Sequence, residues 1–488
     1  MPSLPNNPNL DHFRRQAKTL LREAKSGDQR ALELIARPRS QAADPVQLTL
    51  AAAQFAVARG YGFSSWPQLR HYLDTAEVLR RDPTAGPTET DTDLADRFCR
   101  LACLVYSGQD GPHRWAAARS VLAEHPEVVT RSIAAAAAAA DPHAIREHLA
   151  TDPRAASTET GPHRWAPLMY LTYSRAQQGD EPAERFLTSA RLLVDAGADP
   201  NAGYLWLGLT PPFTVLTGVF GEGEQGPGRQ PRHPHSIALA RLLLVDGADP
   251  NDGQALYNRM FRPDDSHLEL MFGFGLGRGD GGPWRRRLGE ALQAPTAMLA
   301  HQLEWAIDHG FGSRVDLLAR NGVDVRAPLA DGRAPAQRAA DGGRPDIAAI
   351  LIRHGGQAPT VDTSAQLLAQ LLTGGGAAHA EPGRDALAAG RSRWPDLIHR
   401  ATTPDAVRRI VDAGFDVNAC RDGATALHRA AWNGDLPLIQ ALLDAGADPA
   451  ARDGNYGGTP LGWAEHGYQD AAGELLAAQH MAPTDQPD

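Results

Sequence analysis

Several groups of side chains have types and spacings that bear on chemistry. His233 and His235 flank Pro234, and Glu222 and Glu224 lie eleven residues before them. An extended His-Pro-His places both imidazoles on one side, and carboxylate with imidazole is a donor set for a divalent ion. There is no cysteine pair, no H-E-x-x-H and no fixed ligand spacing, so the stretch reads as a solvated polar loop and no metal is assigned. The run NRMFRPDD (258–265) sets Arg259, Arg262, Asp264 and Asp265 beside Phe261, a group able to hold an anion or move a proton. GPHRWA occurs at 111–116 and again at 161–166. It reads as a duplicated turn with a packing tryptophan, and a ligand-binding His163–Arg164 pair is the competing reading. The Gly-rich stretches FGEGEQGPG (220–228) and FGFGLGRGDGG (272–282) lack the G-x-x-x-x-G-K-[ST] pattern that cradles phosphate. G-x-S-x-G is absent too. No catalytic residue and no cofactor is assigned.

Composition bounds what can position these groups. The chain has 488 residues, 42% hydrophobic and only 6% aromatic, which suits thin, closely stacked helices with many turns. Lys18 and Lys25 are its only lysines, and the formal charge is −10. That charge opposes non-specific nucleic-acid binding, which rests on phosphate neutralisation. Residues 1–80 are the exception, with eleven basic against seven acidic side chains. Cys99 and Cys103 are four apart on one predicted helical face and read as core, while Cys420 falls in a turn. No run of 18 apolar residues and no apolar leader occurs, so the cytoplasm is the expected compartment and no membrane partner is expected.

Residues 1–80 read as a small helical domain. Asn9 caps a helix with apolar Leu10, Phe13, Ala17, Leu20 and Leu21; Gly27 ends it. A second helix covers 29–36, a third runs from beyond Pro45 to Gly60, and a fourth follows a Ser64 or Ser65 cap with Pro67 in its first turn. Residues 81–93, rich in Pro, Thr and Asp, read as a linker.

The remainder repeats. LLVDAGADPN (192–201) recurs as LLLVDGADPN (242–251), LLARNGVDVR (317–326), IVDAGFDVNA (410–419) and LLDAGADPAA (442–451), and Thr425 and Thr459 are 34 residues apart. In 422–451, Thr425 can cap a first helix whose Leu427, Ala430 and Ala431 make a narrow apolar face. Gly434 ends it; Leu438, Ile439, Leu442 and Leu443 line a second helix; Gly446 takes the left-handed position after it. Thr425-Ala426-Leu427-His428 and Thr459-Pro460-Leu461-Gly462, followed by such GAD turns, resemble the ankyrin repeat, and the layout with a YGFxSW segment before the repeats is similar to actinobacterial ankyrin proteins. The resemblance implies an all-α solenoid of about ten helix-turn-helix units over 94–488, behind the N-terminal domain. It also gives His428 a structural role in the turn. The spacing between Asp199 and Asp249 is 50, and residues 218–235, which show no helical pattern, read as an insertion that supplies the excess.

In such repeats the two positions before the mid-repeat glycine meet partners. The resemblance therefore points to Tyr173, Glu222, Phe261, Arg262, Asp308, His309, Trp432 and Asn433, with Asp264 beside them. The expected function is a protein-protein interaction scaffold that binds through the concave ankyrin surface. The competing assignment is a small-ligand-binding protein or enzyme using the groove beside 218–235. The partner expected is a protein, with a small ligand as the alternative and nucleic acid disfavoured.

Overall fold

The structure is a computed structural model that describes residues 4–36, 48–86, 93–177, 182–374 and 383–480. It is mostly helical, but not all-α. Arg80–Arg81 pairs in parallel with Gly203–Trp206, which pairs antiparallel with Phe213–Thr214, and Cys420–Arg421 forms a hairpin with Ala424–Thr425. The chain divides into two compact units. One comprises Met1–Gly221, Arg232–Arg259 and Ser266–Met298; the other comprises Glu222–Pro231, Met260–Asp265 and Leu299–Asp488. No helix among the described residues is long and apolar enough to cross a membrane.

The N-terminal helices form where their caps and apolar spacing place them. Asn9 accepts from the His12 amide to start Leu10–Lys25, and Ser65 accepts from Gln68 to start Trp66–Leu79. Between them lie Gln29–Ala36 and Leu50–Gly60. Their core does not close on itself. Phe13, Leu69, Tyr72 and Leu73 share one buried cluster with Leu205, Trp284 and Leu288, and the Tyr72 hydroxyl donates to the Gly208 carbonyl at 2.7 Å. The stretch expected as a linker begins as a strand, since Arg81 is buried and ion-pairs with Glu159; residues 87–92 lie outside the described residues.

Beyond it, short helix pairs follow one another. In the first unit they include Ile133–Ala138 with Pro142–Thr151, Pro167–Tyr173 with Ala183–Asp195, and Val215–Phe220 with Ser236–Val245. The alanines 134–140 are all buried; a helix surface of methyl groups lets neighbours approach closely, as dense packing requires. Residues 218–220, expected to lie in a stretch without helical pattern, are helical. Gly218 lies within the helix Val215–Phe220, where a Cβ would collide with the Tyr173 ring, and Gly226–Arg229 is itself a helical turn. Gly226 has φ +72°, so this turn is as demanding of glycine as the helix end at Gly446 with φ +89°.

Successive turns are tied by one repeated device. The Asn201 side chain donates to the Gly247 carbonyl and accepts from the Asp249 amide. Asn251 does the same with Arg278 and Gly277, and Asn418 with Gly446 and Asp448. A carboxamide carries a donor and an acceptor at one end, so it can bridge two main-chain groups of the next turn that would otherwise need water.

A second tie is buried. Thr214 caps Val215–Phe220 in a capping box with Thr217 and donates its hydroxyl to Asp252, which also accepts from the Ala255 amide at 2.9 Å. Burial pushes the Asp252 carboxyl up to about 6, against the hydrogen bonds from Thr214 and Ala255 that favour its ionised form.

Asn418→Ala is expected to lower the stability of the second unit by about 1–2 kcal/mol, the usual size for lost hydrogen bonds of this kind; a urea midpoint unchanged from wild type would contradict the tie. Asp252 ordinarily titrates near 3.8 and here near 6. The protonated form is therefore favoured by folding, and that contribution is present below pH 3.8 and lost as pH rises through 6. Relative to wild type, Asp252→Asn should thus gain about 2 kcal/mol of stability between pH 4 and pH 7. Denaturant titrations at both pH values measure this difference, and a pH-independent one refutes it.

Candidate functional site

The second unit gathers most of the residues expected to face a partner. Its centre is Arg314, a fully buried guanidinium. It ion-pairs with Asp265 at 2.5 Å, donates to the carbonyls of Met260 (2.8 Å) and Arg262, and lies over the Phe311 ring at 5.1 Å. A buried cation stays folded only when paired and hydrogen-bonded. Here its partners are the main chain and carboxylate of 260–265, so Arg314 fixes that segment in place.

Once held, Phe261 packs edge-on against Trp305 at 5.2 Å, and His309 stacks on the same indole at 3.8 Å. The His309 ring nitrogen Nδ1 meets the Trp305 carbonyl at 2.9 Å, and partial desolvation of the stacked ring holds its pKa below the usual value. Arg262 extends to the Asn433 carbonyl at 3.4 Å, while the Asp264 carbonyl accepts from Arg314. Asp308 is engaged in a two-point ion pair with Arg338, whose guanidinium also meets Glu304 and Asp331.

A second aromatic group follows the helix Ala426–Asn433. Trp432 lies edge-on to Trp463 at 6.0 Å and stacked with His466 at 5.9 Å. The segment 222–231 meets it. Arg229 donates through Nε to the His466 carbonyl at 2.7 Å, reaches the His466 ring nitrogen Nδ1 at 3.0 Å and lies over Tyr468 at 5.2 Å. Burial and the Arg229 charge both lower the His466 pKa, which keeps Nδ1 available as an acceptor. Gly228 permits this approach, because a Cβ there would collide with the Gly467 carbonyl oxygen.

The expected positions thus divide. Tyr173 does not face a partner: it is wholly buried, with its hydroxyl on the Thr214 carbonyl and its ring against Trp165. Glu222 is buried as well, its amide donating to the Gln230 carbonyl. Phe261, Arg262, Asp264 and Trp432 are half-buried, and Asp308, His309 and Asn433 are exposed. Both imidazoles of the His-Pro-His stretch pack against Phe186, His233 buried at 4.7 Å and His235 half-buried at 5.2 Å. Among the described residues no group of three or more potential ligands stands ready for a metal.

The residue that sequence reasoning missed is Tyr456, 89% exposed at the tip of the turn between two helix pairs. Asp453 builds that turn. Its carboxylate accepts from the Trp463 indole (3.0 Å) and from the amides of Tyr456, Asn455 and Gly458, and these bonds hold its pKa down at about 2. The turn is tied to the preceding hairpin by Asn455 to the Asp422 carbonyl and by the Gly454 amide to the Gly423 carbonyl. His428 completes the frame. It shares a capping box with Thr425 and contacts the Gly458 carbonyl at 3.1 Å. The sequence signal was a lone tyrosine between glycines, in GNYGG.

Residues 397–486 match the family model for ankyrin repeats in three copies. The chain is 46% identical over 77 residues to the potassium channel AKT1 of Oryza sativa, covering 15% of this chain and 8% of the channel. It is 45% identical over 53 residues to an ankyrin repeat and LEM domain-containing protein 1 homolog of Caenorhabditis elegans, covering 11% of this chain and 8% of that protein. The chain therefore spans only 8% of the length of these relatives. The ankyrin repeat is in general a protein-interaction module.

Gly228→Ala is expected to release 222–231 from His466 and Tyr468. Amide exchange at Glu222 and Gln230 should accelerate about tenfold or more, consistent with losing a cation–π contact and a charge-assisted hydrogen bond. Wild-type protection in the variant would show that the close approach is not needed. The depressed His466 pKa adds a direction: the Arg229 contact is present above the ordinary histidine value and weakens as pH falls through the lowered one.

Proposed function

We propose that the three ankyrin repeats of 397–486 bind a protein partner through their turns and inner helix ends, and that the chain is an interaction adaptor, not an enzyme. The observation that carries this is Tyr456. An aromatic side chain 89% exposed on a turn held by Asp453, Asn455 and Gly454 presents large apolar area at low entropy cost, as interface anchors do. Trp432 and the exposed Asn433, Asp308 and His309 extend the same reading. Arg229 shows what chemistry the face accepts, since a guanidinium is received by a carbonyl, an imidazole and a tyrosine ring. A partner segment bearing arginine is therefore the preferred class.

We also read the degenerate helix pairs before residue 397 as continuing the same repeat. The asparagine tie at Asn201 supports this, because the Gly247 carbonyl and Asp249 amide that it meets correspond to the Gly446 carbonyl and Asp448 amide that Asn418 meets.

The test is site-specific photo-crosslinking in the source cell. A benzophenone side chain at position 456 should crosslink to one protein in preference to all others. One at Val245, a 68% exposed residue of a different repeat, should not. Tyr456→Ala should then weaken binding of that protein by about 2 kcal/mol. Equal crosslinking at both positions, or unchanged affinity of Tyr456→Ala, sinks the assignment.

A further inference from the structure

The two GPHRW copies converge on one cavity of about 340 Å3 in the first unit. Arg114 of the first copy and His163 of the second both line it, joined by Arg97, Arg100, Leu101 and Val105. The copies have different local structure, which is how they can face one space. Gly111 to Trp115 opens the helix Pro112–Glu124, whereas residues 161–165 form a turn that precedes the helix Pro167–Tyr173. Arg164, joined with His163 in the competing ligand-binding reading, is exposed and does not line the cavity.

His163 is only 5% exposed. Its backbone N–H donates to the Tyr170 hydroxyl at 3.0 Å, and its ring packs on Trp165 at 4.5 Å, so its orientation is set by neighbours. Its Nε2 is buried with no hydrogen-bond partner. An unsatisfied buried polar atom costs about 1–3 kcal/mol, a cost that a ligand oxygen would remove. Burial first, then the Arg100 and Arg114 charges, hold the ring at about 3, so it is neutral and can donate from Nε2.

The guanidiniums set the sign. Arg114 is compensated by Asp110 at 2.6 Å and donates to the carbonyls of Arg100 and Cys103. Arg100 donates to the Ala85 carbonyl at 3.3 Å. Arg97 is exposed at the rim, and no described carboxylate lines the cavity. Leu101 and Val105 supply an apolar wall. Guanidinium forks match tetrahedral phosphate oxygens, and a neutral imidazole adds a donor without adding charge.

We propose that this cavity is a binding site for a small organic phosphate, its phosphoryl oxygens toward Arg97, Arg100 and His163 Nε2 and its organic body against Leu101 and Val105. The site is independent of the protein-binding surface proposed above.

Phenyl phosphate is the probe. Titrated calorimetrically into the full chain, it should bind saturably at one site, more tightly than inorganic phosphate, while phenol should not bind. Arg97→Glu, at an exposed position, should weaken binding about tenfold or more; Arg146→Glu, an exposed arginine outside the cavity, should bind like wild type. In the wild-type protein the His163 imidazole resonance should shift on titration, a readout that needs no variant. The proposal is overturned by failure to saturate, by phenol binding as well as phenyl phosphate, by Arg97→Glu binding like wild type, or by an unmoved His163 resonance.

Discussion

A repeat of two short helices cannot satisfy its own turn. The turn ends expose amides and carbonyls that must find partners, and Asn201, Asn251 and Asn418 supply them by reaching into the turn of the next helix pair. Everything else in the stacked parts depends on that constraint. Leu427, Ala430 and Ala431 are buried in one cluster alongside the Asn418 tie, and Asn455 and Gly454 tie the Tyr456 turn to the hairpin before it.

Charged groups are used to place main chain as well as to present surface. Arg314 holds 260–265 through three carbonyls and one carboxylate, and Arg229 holds 222–231 on the turn at His466. In each case a guanidinium with several donors in a fixed fork satisfies carbonyls that no regular helix could reach. The residues that look most like interface anchors in the sequence, Phe261 and Arg262, are consequently engaged within the chain itself. The more exposed aromatic side chain is a tyrosine on a turn, Tyr456.

The first unit is different in character. Its interior mixes aromatic rings with polar groups: Trp165 stacks with Tyr204, the Tyr106 hydroxyl donates to the Thr217 carbonyl, and Arg175 is wholly buried on the carbonyls of Thr172, Ser174 and Gly218. Desolvation lowers the Arg175 pKa to about 10, which leaves it charged and bound to carbonyls. Such interiors specify one arrangement because each polar group is costly to leave unmatched.

The sequence by itself determined the local structure. Caps at Asn9, Ser65 and Thr425, left-handed glycines such as Gly446, and the spacing of Leu438, Ile439, Leu442 and Leu443 depend on neighbours within a few residues, and the structure has them where they were expected. The same holds for buried Cys99 and Cys103, whereas Cys420, expected in a turn, lies on a short strand. What only the tertiary structure decided was which polar and aromatic groups remain available. Tyr173 and Trp432 hold corresponding positions before a helix end, yet one is wholly buried and the other half-buried. The difference lies in what packs against them: for Tyr173 it is Gly218 and Trp165, which lie 45 and 8 residues away in the chain. Arg114 and His163 belong to two copies of one pentapeptide, and no local pattern distinguishes a motif that packs from a motif that lines a cavity. That distinction depends on long-range contacts, which a repeat spacing of 34 residues does not encode.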